Sequence, residues 1–151
     1  MVLELRPATW EDRELLLSWR NDPETRQNSL NSDPVQPGEH ERWLRRSLEL
    51  HPERQLWIAE LEAVPVGTAR LDRGPQGWEL SWTVAPPARG RGVGKALVAQ
   101  ALRLVTGQVN AVIKAGNQAS LAIARHCGLI LQREEGGLSY WALPEKEEGP
   151  A

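Results

Sequence analysis

Apolar and polar residues alternate along Val2–Arg6, the pattern of a half-buried strand, and Pro7 follows it. From Thr9 the period lengthens. Leu15, Leu16 and Trp19 recur at helical spacing, and Thr9 with Asp12 resembles a capping box. Asn21-Asp22-Pro23 predicts the end of that helix. Residues 23–36 are polar, carry Pro34, and predict a loop or short helical turn. Gly38–Leu50 predicts a second helix with Trp43, Leu44, Leu48 and Leu50 turned inward. Three strands follow, over Leu56–Leu61, Val66–Asp72 and Trp78–Val84, with turns at Ala63-Val64-Pro65 and Gly74-Pro75-Gln76-Gly77. In the third strand Trp78, Leu80, Trp82 and Val84 share one face, and Glu79, Ser81 and Thr83 the other. A helix begins at Val93 and a strand covers Asn110–Ala115. A short helix then runs from Gln118 to Cys127, with Asn117 as its N-cap and Gly128 as its stop. Leu129–Glu134 and Leu138–Leu143 form a hairpin about Glu135-Gly136-Gly137.

The order is β-α-α-β-β-β-α-β-α-β-β, with no internal repeat and no linker. It predicts a mixed sheet of α+β or α/β class. One domain is expected over residues 1–143, and residues 144–151 form a charged tail expected to be disordered.

Composition narrows the partners. A formal net charge of −2 argues against nucleic acid, and 15 of the 18 basic residues are arginine. The single cysteine, Cys127, excludes an intramolecular disulfide and reads as a small buried residue. No apolar run approaches the ~20 residues of a membrane span. Charge at Glu4 and Arg6 leaves no signal-peptide core, so a cytoplasmic protein is expected.

The chemistry concentrates in Arg89-Gly90-Arg91-Gly92-Val93-Gly94-Lys95, where a strand runs in and a helix runs out. A helix's first turn has free N–H groups and the positive end of the dipole. Glycines let an anion approach that backbone, so a phosphate or pyrophosphate is the natural occupant. Two nucleotide motifs fail here. A P-loop requires glycine where Arg89 stands and Ser or Thr where Ala96 stands; a dinucleotide fingerprint requires glycine at Lys95.

What fits is Arg/Gln-x-x-Gly-x-Gly/Ala, filled by Arg89 to Gly94. This resembles the acyl-CoA loop of the GNAT acetyltransferases. Asn117-Gln118-Ala119-Ser120 with Cys127-Gly128-Leu129 resembles a second segment of that family, and the element order matches up to about Leu143. The resemblance implies a mostly antiparallel sheet of about seven strands flanked by four helices. It also implies acetyl-CoA or coenzyme A as cosubstrate, held by Arg89–Lys95, by main chain near Thr83 and Val84, and by Asn117. Asn117 reads equally well as a plain N-cap. Trp19-Arg20-Asn21-Asp22-Pro23, Arg26, Glu39-His40 and Trp43 resemble a narrower group containing amino-sugar and ribosomal-protein N-acetyltransferases.

The resemblance implies direct transfer of acetyl to a primary amine, the first expectation being an amino sugar, nucleotide-linked ones included. An N-terminal protein acetyltransferase and a non-catalytic acyl-CoA sensor are the alternatives. Glu79 is the expected base, acting through a water, and a surface carboxylate is the competing reading. The family's tyrosine acid, counted from Asn117, falls on Ala124; Tyr140, Ser120 and His126 are weak substitutes. Arg20, Asn21 and His40 are expected on the substrate side, against a plain solvated helix face. No second His or Cys stands at ligand spacing from His40, so no metal is expected. An exposed sheet edge makes a homodimer a further expectation.

Overall fold

The computed structural model describes residues 2–145. Its strands are β1 (Leu3–Pro7), β2 (Arg54–Leu61), β3 (Val64–Gly74), β4 (Gly77–Val84), β5 (Val109–Lys114), β6 (Ile130–Glu135) and β7 (Leu138–Leu143). Its helices are α1 (Arg13–Asn21), α2 (Pro23–Asn28), α3 (Pro37–Glu49), α4 (Val93–Ala101) and α5 (Gln118–His126). The seven strands lie in the order β1-β2-β3-β4-β5-β7-β6, antiparallel everywhere except between β4 and β5.

Four of the five helices stand where the apolar period places them. The fifth, α2, fills part of the polar stretch, with Asp22 accepting from Thr25 N–H at 3.1 Å and Pro23 opening the first turn. The first interstrand turn sits earlier than Val64-Pro65, because Glu62 and Ala63 adopt φ of 50° and 65° and let β3 start at Val64. Leu50 points outward at 39% exposure, since α3 ends at Glu49. The tail expectation concerns residues 144–151, of which 146–151 lie outside the described residues.

The entry to α1 is tied to β1 by charge. Arg6 donates from both Nη1 and Nη2 to Asp12 at 2.8 Å, and Thr9 N–H donates to the same carboxylate at 2.8 Å. The Arg6 bond, ahead of the backbone bond from Thr9, holds the buried Asp12 carboxyl below its ordinary value.

Apolar side chains form two clusters. The larger unites β1–β4 with α1, α3 and α4 through Leu3, Leu16, Leu44, Ile58, Leu80 and Leu97. The smaller lies under β5, α5 and β7, around Ile113, Leu121, Ala124 and Trp141. Trp82, Leu102, Cys127 and Leu143 touch both clusters. The division falls within β5, where Val109 belongs to the larger cluster and Ala111 and Ile113 to the smaller, and the site lies along it.

Candidate active site

The parallel pair β4–β5 is brief. Trp78 opposes Val109 and Glu79 opposes Asn110, and the register ends there. Beyond it Ala111–Lys114 pair only with β7, while Leu80–Val84 pair only with β3. The β4 main chain therefore has an open edge from Leu80 to Val84. Ala85 N–H donates to Val66 O at 2.8 Å across β3. Amides alternate sides along a strand, so the Val84 N–H points into the opening.

A cavity of about 490 Å³ lies at the mouth of this opening, lined by Thr83, Val84, Arg89, Gly90, Gly92–Lys95, Asn117 and Ile123. Gly92 has φ of 77° and is the N-cap of α4, with no side chain satisfying the first turn. The first helical bond is Ala96 N–H to Gly92 O at 3.3 Å, which leaves the preceding amides free for an anion. Gly94 serves packing as well. A Cβ there would collide with Ile123 Cδ1 and come within 3.3 Å of Val84 Cγ2, so glycine lets α4 approach α5 and β4 closely. Lys95 lines the cavity and is exposed; Val93 is buried under the loop; Arg91 is exposed and outside the lining. Arg89 also lines the cavity, but its guanidinium is engaged by α2: it reaches Asp22 at 2.8 Å, Glu24 at 2.7 Å and Thr25 Oγ1 at 2.9 Å. That bond is the main reason the Asp22 carboxyl is held low. Arg89 thus staples the loop to α2.

A second cavity, of about 480 Å³, lies over the β2–β4 face beneath α1 and α3. Register places Thr68, Arg70 and Asp72 opposite Thr83, Ser81 and Glu79, so these six side chains share one face. Trp19 and Arg20 of α1 and His40 and Trp43 of α3 close it from above. His40 is 4% exposed and not on a solvated face. Burial, then the Arg20 charge, pushes its pKa down, so the imidazole is neutral at neutral pH. The two cavities share Asn28, Ser29, Trp82, Thr83, Asn117 and Ser120 and so form one passage.

The remaining sequence candidates sort by position. Asn117 lines both cavities and also caps α5, accepting from Ser120 N–H at 3.2 Å. Glu79 lines the α1–α3 cavity and is exposed. Asn21 lines neither cavity. Its amide donates to Val35 O and accepts from Val35 N–H, both at 2.8 Å, pinning the 29–35 loop that borders the α1–α3 cavity. Tyr140 lies outside both linings, with Arg133 4.2 Å from its ring centroid. Ala124 is fully buried in the smaller core, so the position carries no hydroxyl into the passage. Burial raises the Cys127 thiol pKa above its ordinary value. Arg70, Trp82 and Ser29 were missed by the sequence reading. The polar alternation Thr68-x-Arg70-x-Asp72 was the available signal for the first. Among the described residues no cluster of three or more His, Cys, Asp or Glu could hold a metal, and no helix is long and apolar enough to cross a membrane.

A family model described as an acetyltransferase (GNAT) domain matches residues 3–130. A comparison with curated proteins finds no match. Among solved structures, the aminoglycoside acetyltransferase AAC(6')-Ib in complex with coenzyme A has a TM-score of 0.81 at 16% identity, covering 95% of each chain. Spermidine N-acetyltransferase from Vibrio cholerae, with CoA and spermine, reaches 0.83 at 15% identity over 95% of each chain. A putative phosphinothricin N-acetyltransferase reaches 0.79 at 23% identity over 97% of this chain and 100% of its own. A split sheet with free amides at the α4 turn is what a pantetheine arm and pyrophosphate require, and with the matched domain it places the chain in the GNAT family of acetyl-CoA-dependent N-acetyltransferases.

Proposed function

We propose that this acetyltransferase moves acetyl directly from acetyl-CoA to a primary amine, with amino sugars, nucleotide-linked ones included, as the first acceptor class. The observation that carries the proposal is the continuity of the two cavities through six shared residues at the β4–β5 split. A donor entering by the α4 loop and an amine entering beneath α1 and α3 meet there, with no need for a covalent enzyme intermediate. Trp43, half-buried on the cavity wall, offers apolar surface to a sugar ring, which supports the acceptor class, while Trp19 belongs to the core.

Acetyl-CoA supplies a thioester carbonyl as electrophile. The Val84 N–H, on the open edge of β4, holds the carbonyl oxygen as it gains charge. Glu79 lies five residues back, roughly 16 Å along the strand, and takes the amine proton through a chain of waters. The thiol formed on C–S cleavage has an ordinary pKa of about 8.5, so its thiolate leaves readily and the buried Ala124 is no obstacle.

The test is a screen of amines with acetyl-CoA, following thiol release and product mass. Acetyl-amine formed one-to-one with thiol, with an amino sugar among the best acceptors, is the expected result. Protein N-termini outperforming every small amine would move the acceptor to peptides. Tight acetyl-CoA binding with no turnover on any amine would make the domain a sensor.

A further inference from the structure

The α1–α3 cavity contains more positive charge and more unpaired donors than its own carboxylates satisfy. Arg20 gives Nη2 to Asn31 O at 2.7 Å, while its Nη1 is buried without a partner. Arg70 Nε is ion-paired with Asp72 Oδ2 at 2.9 Å, and among the described residues its two Nη atoms have no hydrogen-bond partner. Asp72 is already committed to Arg54 at 2.6 Å, so two guanidinium groups share one carboxylate. His40 Nδ1, in a side chain 4% exposed, is a second buried atom without a partner on the same wall. Two lining carboxylates remain, Glu39 and Glu79, both exposed. Glu39 does attract Arg20, but burial and the charges of Arg26 and Arg70 outweigh it, and the Arg20 pKa is driven down. Buried donors and unneutralised guanidinium groups are costly in a native protein unless a ligand completes them. Planar guanidinium groups complete carboxylates and phosphates best.

We propose that the acceptor amine carries an anionic group, a carboxylate or a phosphate, which seats on Arg20 Nη1 and the Nη groups of Arg70 beside His40. Arg70 faces Ser81, two residues from Thr83 at the passage, about 7 Å along the strand. The anion and the amine are therefore a few bonds apart on one small molecule. An amine-only polycation, such as the spermine held by the Vibrio cholerae neighbour, would bring like charge to this wall. The proposal rests on the acetyltransferase reading of the passage.

The test uses the whole chain with CoA saturating, so that the α4 anion site is filled. Inorganic phosphate and acetate are titrated separately, with chloride holding ionic strength constant, and melting is followed in the wild type, Arg20→Gln and Arg70→Gln. A rise in melting temperature with either anion, reduced at least tenfold in sensitivity in both variants, is expected; the better anion names the phosphate or carboxylate arm. A rise of equal size in all three proteins, or none in the wild type, overturns the proposal. Turnover then compares glucosamine 6-phosphate with glucosamine, and an amino acid with its amide. At least one anionic member should exceed its neutral partner tenfold in kcat/KM, and neutral or polycationic amines outperforming both would again overturn it. If CoA itself fails to bind, the acetyltransferase reading fails first. If CoA binds and amines are acetylated with no anion preference, this inference alone fails.

Discussion

The two ends of the passage are built differently. The end that our proposal gives to the donor is made of backbone: free amides at the start of α4, the open edge of β4, and glycines that keep side chains away. The acceptor end is made of side chains from α1, α3, β3 and β4, several of them buried with donors to spare. Backbone recognition suits a cosubstrate of constant shape, because main-chain geometry survives most substitutions. Side-chain recognition suits a variable acceptor, because one residue can change charge or size without disturbing the sheet. The split between β4 and β5 lets the two ends meet.

The largest effect expected is at the donor end. Gly92→Val places a β-branched residue at φ of 77° and crowds the free amides. Acetyl-CoA affinity should fall by two orders of magnitude or more by calorimetry, with a stability loss of only about 1–3 kcal/mol. An unchanged Kd would break the donor assignment. Gly94→Val is the contrasting variant: it displaces Ile123 and tightens against Val84, so its main effect is a lower Tm from repacking between α4 and α5.

Glu79→Gln comes next. The rate should drop roughly a hundredfold or more, with acetyl-CoA affinity retained and the pH dependence altered. A pH–rate profile of wild-type shape would remove Glu79 as base. Asn21→Ala should then loosen the Val35 loop by deleting two bonds of 2.8 Å. The expected result is an acceptor KM raised by roughly tenfold, since two modest bonds are together worth about 1–3 kcal/mol, with the acetyl-CoA KM unmoved. Equal changes in both KM values would show that the two ends are not separable.

The smallest effect is on stability against pH. His40 and Asp12 both have folded pKa values below the unfolded ones. For each, the unfolded chain binds the proton more readily, so stability declines as pH falls. The His40 part is full above its ordinary 6.5 and is lost as pH falls through its lower folded value. The Asp12 part is full above 3.8 and is lost below that. Urea titration should show both phases in the wild type, and His40→Gln should remove the upper one.

This contrast also explains what the sequence discloses. The donor loop is seven consecutive residues between a strand and a helix, so its motif is local and readable. The strands and four of the helices announce themselves by period. The acceptor cavity joins residues from Leu16 to Ser120, and only the strand register brings Arg70 opposite Ser81. On α3 the buried face is His40, Leu44 and Ser47, a regular helical stripe hidden because two of its three members are polar. Ser47 is buried because its hydroxyl accepts from Arg54 Nη1 at 3.0 Å, a partner distant from α3's own pattern. Arg89 has its charge directed to Asp22 and Glu24, 67 and 65 residues away, which no local motif encodes.

The most direct test of the account is melting with acetyl-CoA, coenzyme A, ATP and NAD side by side. A rise is expected with the two CoA species and none with ATP or NAD at matched concentration, the rise growing with ligand as binding to the folded state requires. A rise with ATP or NAD and none with either CoA species would contradict it, and would make the α4 turn a site for a different nucleotide.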